Sequence, residues 1–275
     1  MLNLNKMDYS KKKSIYSKIS FKKIKNMHLR EEKFNWLSEI YTKYRPSYAS
    51  ESIEYVLEKT KNSIQTIADI WAWTGKLSKA FLEKDLQVYA IEPHKEMLEQ
   101  AKKELQSYPK CKLIQATAED TTLEDSSIDL ITIGQAFHRF NNATFKNEAK
   151  RILKKEKYIT IFYNNWDKTS DLIQKIHELS KEYCPLYKGS SWWLEKQEEI
   201  FSSFFKTYEK KVFPNNYSLT LDAFLWLNFS ASYAPKKWDK NHEIYHEKLT
   251  TLFNQYSKKG ILTMPNNTIL RFGIL

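Results

Sequence analysis

The chain has 275 residues, with 44 Lys and Arg against 33 Asp and Glu, a formal net charge of +11, two cysteines and 41% hydrophobic residues. That content builds a real core and excludes a wholly disordered chain, while no apolar run approaches the ~18 residues of a membrane-spanning helix. Cys111 and Cys184 alone cannot staple a secreted scaffold, so a reducing cytoplasm is the expected location.

The charge is concentrated at one end. Residues 1–30 carry nine basic side chains and one acid, Asp8, which accounts for +8 of the +11. We read 1–33 as a basic, flexible extension without the apolar stretch of a signal peptide. Such a tail can touch phosphates or anionic lipid, but the nearly neutral remainder argues against nucleic acid as the main partner. Composition holds one anomaly: five glycines, about 2% against a usual ~7%, beside eight tryptophans.

From residue 63 onward, strand-like and helix-like patterns alternate. Strands are expected at 65–70 (QTIADI), 87–91 (QVYAI), 112–115, 128–134 (IDLITIG) and 158–163 (YITIFY), with helices at 76–84, 95–105 and 142–153 between them. Single helices between strands imply right-handed crossovers and a parallel sheet covered on both faces. After residue 165 the rhythm becomes helical, at 167–183, 195–205, 219–232 and 242–256. An extended stretch at 208–217 and a closing strand at 268–274 complete the reading. The span 166–259 is therefore expected to be a mostly helical cap, and 260–275 a strand that completes the sheet. Oligomeric state is not legible.

In such a sheet ligands bind beyond the carboxyl ends of the strands. There the sequence places Asp69-Ile-Trp-Ala-Trp-Thr-Gly75 between a strand and a helix, and Glu92 after the next strand. A loop followed by an acid at the second strand end is a device for holding a ribose-bearing ligand. A dinucleotide site would call for glycine where Lys76 stands. Each residue also has a plainer reading: Asp69 as a loop cap, Glu92 as a solvated strand-end acid, His138 as packing beside Phe137 and Phe140. His242 and His246 share a helical face without a third ligand, so no metal site is expected.

The ordered segments DIWAWTG, VYAIEPHKEML, ATAEDTTL, IDLITIGQAFHRF and RILKKEKYITIFY, over roughly residues 34–163, resemble class I S-adenosylmethionine-dependent methyltransferases. The leader YTKYRPSY and the stretch QAFHRF are similar to the subgroup around trans-aconitate methyltransferases. The resemblance implies a Rossmann-like three-layer α/β sandwich, with a mostly parallel seven-stranded sheet and a cofactor-binding core at 34–165. It implies that Asp69, the backbone of 71–75 (Trp71, Trp73 and Gly75 included), Glu92, Pro93, Met97, Ala118, Glu119, Gln135, Ala136 and Phe137 hold S-adenosyl-L-methionine. His138 faces the substrate as base, and Tyr44, Arg45 and Arg139 meet a small-molecule acceptor, with O- or carboxyl-methylation favoured.

Trp71 and Trp73 depart from the pattern, because the family has glycine there and two indoles should fill the methionine space. Two explanations stand. One is a catalytically inactive, methyltransferase-like binding protein with a blocked pocket. The other is that a UGA codon, which some bacterial lineages read as glycine, was translated as tryptophan. The second also accounts for tryptophan at Trp36, Trp193, Trp226 and Trp238 and for the glycine deficit. An RNA methyltransferase using the basic tail is a further alternative.

Overall fold

The computed structural model describes residues 46–61, 63–189 and 197–275. The extension 1–33 and the residues Trp36, Tyr44, Arg45 and Trp193 lie outside these. The elements begin with α1 (Ser50–Lys59), β1 (Thr66–Ile70), α2 (Lys76–Leu82), β2 (Gln87–Ile91), α3 (Lys95–Leu105) and β3 (Cys111–Ile114). They continue with β4 (Ile128–Gly134), a short 3-10 turn (Phe137–Arg139), α4 (Asn142–Ile152) and β5 (Leu153–Trp166). The remaining helices are α5 (Asp171–Tyr183), α6 (Gln197–Phe204), α7 (Leu221–Phe229) and α8 (His242–Tyr256), and the remaining strands β6 (Thr207–Pro214), β7 (Tyr217–Leu219), β8 (Leu262–Met264) and β9 (Asn266–Ile274).

Seven strands hydrogen-bond in the order β3-β2-β1-β4-β5-β9-β6, with β1 to β5 mutually parallel and β9 antiparallel to both β5 and β6. The strand order reverses between β1 and β4, which opens a crevice at their carboxyl ends. Register puts Ile70 beside both Ile91 and Ile133, so those three strands end level with one another.

Both faces of the sheet are covered. One carries Phe145, Ala149 and Ile152 of α4 with Phe201 and Phe204 of α6; the other carries Ile53 and Val56 of α1, Leu77 and Phe81 of α2, and Ala101 and Leu105 of α3. Double coverage explains why every residue of β4 is buried and why its sequence reads as a nearly unbroken apolar run. At the opposite end from the crevice, buried Asp129 accepts hydrogen bonds from the main-chain amides of Gln65 and Thr66, both at 3.0 Å, and pairs with Lys154 at 3.0 Å. Burial pushes its carboxyl up, but the amide donors and Lys154 outweigh that and hold it at about 2.

The expected cap at 166–259 is narrower than its sequence rhythm suggests. Within that span, α6 packs into the core and β6 pairs with β9 in the main sheet. What stands outside is α5, α7, α8 and the two-stranded β7–β8 ribbon. The physical reason is that β6 is a largely exposed edge strand whose partner is distant in sequence, so no apolar alternation marks it. Helix α1 lacks a counterpart in the sequence reading, and β5 runs well past the expected 158–163 at both ends. Among the described residues no helix is long and apolar enough to cross a membrane.

Candidate functional site

The turn from β1 to α2 alternates hand: Trp71 (φ 63°), Trp73 (φ 54°) and Gly75 (φ 81°) are all left-handed. Ala72 N–H donates to Ile91 O at 2.9 Å and Gly75 N–H to Ala72 O at 2.8 Å, which ties the turn to β2. At Gly75 a Cβ would lie 2.6 Å from Leu105 Cδ1, so glycine is also what lets α3 pack this closely. A left-handed conformation costs glycine little but costs a bulky residue about 1–3 kcal/mol.

Two buried acids face this turn. Glu92 is fully buried; its Oε2 accepts from Trp73 N–H at 2.9 Å, and its Oε1 accepts from His94 N–H at 2.9 Å and lies 2.9 Å from His94 Nδ1. Asp69 accepts from Ser78 Oγ at 2.5 Å and Thr132 Oγ1 at 3.1 Å. Burial pushes the Asp69 carboxyl up to about 7, with the charge of Glu92 adding to the rise and the two hydroxyls offsetting part of it.

Above the turn lie the two indoles. The Trp71 ring is 5.4 Å from His94 and 5.8 Å from Phe140, centroid to centroid. The exposed Arg139 guanidinium lies over both rings, 5.8 Å from Trp71 and 5.2 Å from Trp73. Trp71 Nε1 is buried and has no hydrogen-bond partner among the described residues, a costly state for a donor.

The other sequence-selected residues divide. Pro93 is half-buried and its carbonyl accepts from Gln115 Nε2 at 3.3 Å, while Met97 and Ala118 are buried. Glu119 Oε1 accepts from Asn141 N–H at 2.9 Å, so it anchors the start of α4. Gln135 is left-handed (φ 58°), and its Nε2 donates to Asn164 O at 3.0 Å. Ala136 is buried, and Phe137 is sunk in an aromatic cluster 5.3 Å from Phe201 and 4.7 Å from Phe204. His138 is exposed with its ring 6.5 Å from Tyr163, and partial desolvation together with the charge of Arg139 lowers its pKa. Among the described residues no group of three or more His, Cys, Asp or Glu could hold a metal ion.

Sequence reasoning missed a polar knot near the carboxyl end of β5. Asn164 Nδ2 donates to the carbonyls of Pro46 and Ser47 at 3.3 and 3.1 Å, and its Oδ1 accepts from Thr268 Oγ1 at 2.6 Å and Asn215 Nδ2 at 3.1 Å. A side chain at Gly134 would run into Tyr48, so this knot also seats Tyr48 at the end of β4. The available signal was asparagine at several strand ends, which is common enough to carry no weight alone.

Against known proteins, residues 69–161 match the family described as a methyltransferase domain. An uncharacterized methyltransferase of Mycobacterium tuberculosis is 30% identical over 139 residues, covering 50% of this chain and 55% of that protein. One from Schizosaccharomyces pombe is 29% identical over 166 residues, covering 60% and 64%. The chain thus spans little more than half the length of the curated relatives it matches. A solved structure from Anaeromyxobacter dehalogenans, that of a proposed type II methyltransferase, superposes with a TM-score of 0.61 at 17% identity over 84% of this chain and 96% of that one, which shows the shared fold.

Proposed function

We propose that the chain, whose residues 69–161 match a methyltransferase domain and lie on a Rossmann-like sheet, is a class I methyltransferase that transfers a methyl group from S-adenosyl-L-methionine to a small-molecule acceptor. The observation that carries this is the buried carboxylate of Glu92 bonded to the left-handed turn after β1. Bound there, the cofactor supplies an electrophilic methyl group; what the chain supplies is position, dryness and a base.

In this reading Glu92 receives the ribose hydroxyls, Asp69 braces the turn, and Pro93 and Met97 lie on the adenine side with Ala118 and Glu119. Gln135, Ala136 and Phe137 bound the methyl end, the last two through main chain since their side chains face the core. His138 is the base, and its lowered pKa keeps it in the neutral form that accepts a proton. Arg139 contacts the acceptor. Elements α5, α7, α8 and the β7–β8 ribbon contribute to acceptor choice, and the subgroup similar to trans-aconitate methyltransferases is a functional analogy.

The main chain of the turn and Glu92 suit the cofactor, whereas the Trp71 indole between His94 and Phe140 does not. We therefore assign glycine to positions 71 and 73 of the working enzyme, with tryptophan arising from UGA read in the wrong code. Two left-handed tryptophans and a buried, unpartnered indole N–H support it. So does Trp238, 84% exposed and without a packing role, in contrast to Trp166, whose Nε1 donates to Tyr217 Oη at 3.3 Å. A second reading, favoured by the same Trp71 ring, is a binding protein that has lost the cofactor.

Calorimetric titration of S-adenosylmethionine into the chain as written and into Trp71→Gly/Trp73→Gly decides between them. Binding by the glycine form alone supports the enzyme. Binding by neither supports the binding protein, and tight binding by the chain as written removes the steric argument.

A further inference from the structure

Arg271 of β9 is 2% exposed, and its guanidinium lies 3.9 Å above the centre of the Phe201 ring. Its Nη2 donates to Glu198 Oε1 at 2.5 Å, but Nε and Nη1 are buried with no hydrogen-bond partner among the described residues. A buried cation with two unmatched donors is expensive, and an apolar residue of similar volume is often as stable or more so at such a position. Stability alone therefore does not account for an arginine here.

Its one hydrogen-bond acceptor among the described residues is not committed to it. Glu198 also accepts from Lys210 Nζ at 2.8 Å and from Tyr208 Oη at 3.1 Å, so two cations share one carboxylate. The Glu198 side chain is 44% exposed, which places the pair at the protein boundary with the acid outside and the guanidinium within. Glu198 keeps Lys210 and Tyr208 as partners when it leaves Arg271, so the carboxylate is not stranded, and the guanidinium it uncovers must be matched by an incoming anion. Inward, Phe201 is 6.5 Å from Tyr163 and Tyr163 is 6.5 Å from His138, so two aromatic rings link the guanidinium to the proposed base.

We infer that Arg271 is a specificity-determining residue that reads an oxyanion carried by the acceptor, with Glu198 as the intramolecular group it displaces. Calling the ligand an acceptor rests on the methyltransferase reading; the binding does not, and it is measured without cofactor. The flanking rings of Phe201 and Tyr163 favour an unsaturated or aromatic acid, since charge is matched by the guanidinium and the body by apolar walls.

The test is thermal unfolding of the full chain with benzoate, benzamide or inorganic phosphate, in wild type, Arg271→Met, Arg271→Lys and Glu198→Gln. Benzoate is expected to raise the wild-type Tm with concentration and benzamide to leave it unchanged. Arg271→Met should unfold no earlier than wild type in plain buffer, yet bind benzoate at least tenfold more weakly. Arg271→Lys, which keeps the buried charge and guards against a folding failure, should lose a similar factor. Glu198→Gln should bind benzoate several-fold more tightly. The inference is overturned by no benzoate shift in wild type, an equal shift in Arg271→Met, or a lower Tm for Arg271→Met without ligand. Phosphate matching benzoate overturns it as well, since that marks a site for any free anion. Titration of S-adenosylmethionine into the same variants carrying Trp71→Gly and Trp73→Gly reports separately on the methyltransferase reading.

Discussion

The main-chain N–H of Trp73 donates to Glu92 Oε2 at 2.9 Å, so the turn after β1 and the acid after β2 form one hydrogen-bonded unit. The other oxygen of the same carboxylate holds His94. Glu92→Ala removes the acceptor for three N–H groups at once. It should cost about 2–3 kcal/mol in denaturant unfolding, and in the glycine form lower cofactor affinity at least tenfold.

Asp69 carries a pH signature. Its folded pKa is raised from 3.8 to about 7, so the folded state holds a proton that the unfolded state releases. The stability this lends is fully present below about pH 4 and is lost as pH rises through 7. The loss is on the order of 4 kcal/mol. Asp69→Asn should abolish that part of the pH dependence; an unchanged slope in urea unfolding between pH 4 and 8 would show that Asp69 ionises freely.

Asp129 runs the other way. Its folded pKa is held at about 2, so its contribution is present above about pH 4 and is lost as pH falls through 2. Asp129→Ala leaves two strand-end amides and Lys154 without their acceptor. Unfolding should show a loss of about 2–4 kcal/mol at neutral pH that shrinks in acid.

His138→Gln should lower kcat about 10²–10⁴-fold with an acceptor that must lose a proton. With a carboxylate acceptor, already ionised, it should leave kcat within a few-fold. The comparison requires the glycine form of the turn and is read by methyl transfer at saturating cofactor.

Mass spectrometry of the protein from the cells that carry the gene tests the codon reading directly. The tryptic peptide 62–76 is expected to contain glycine at positions 71 and 73, and the peptide holding Trp166 to contain tryptophan. Tryptophan at 71 and 73 would establish the indoles as native and favour the binding protein.

The parallel half of the sheet was legible because its signals are local. The unbroken run of β4 and the helical spacing of Met97, Ala101 and Leu105 each lie within one element. Glu92 was legible from its place after β2, although its bond to Trp73 was not, since that depends on a turn conformation tryptophan disfavours. Phe137 was placed at the site from its position after β4, yet a buried partner helix turned it into the core. Arg271 and Glu198 were invisible for a further reason: they lie 73 residues apart on β9 and α6, and no periodicity encodes a contact at that separation.

The place of β9 between β5 and β6 sets the order in which the molecule can be assembled. Strand β6 bonds to β9 within the sheet, and β9 is made after α7, α8 and the β7–β8 ribbon. On the ribosome, β1 to β5 can pair as they emerge, while β6 and the exposed flank of β5 wait with open edges until β9 arrives between them. The two edges most open to pairing with another chain during synthesis are thus closed together, by one late strand.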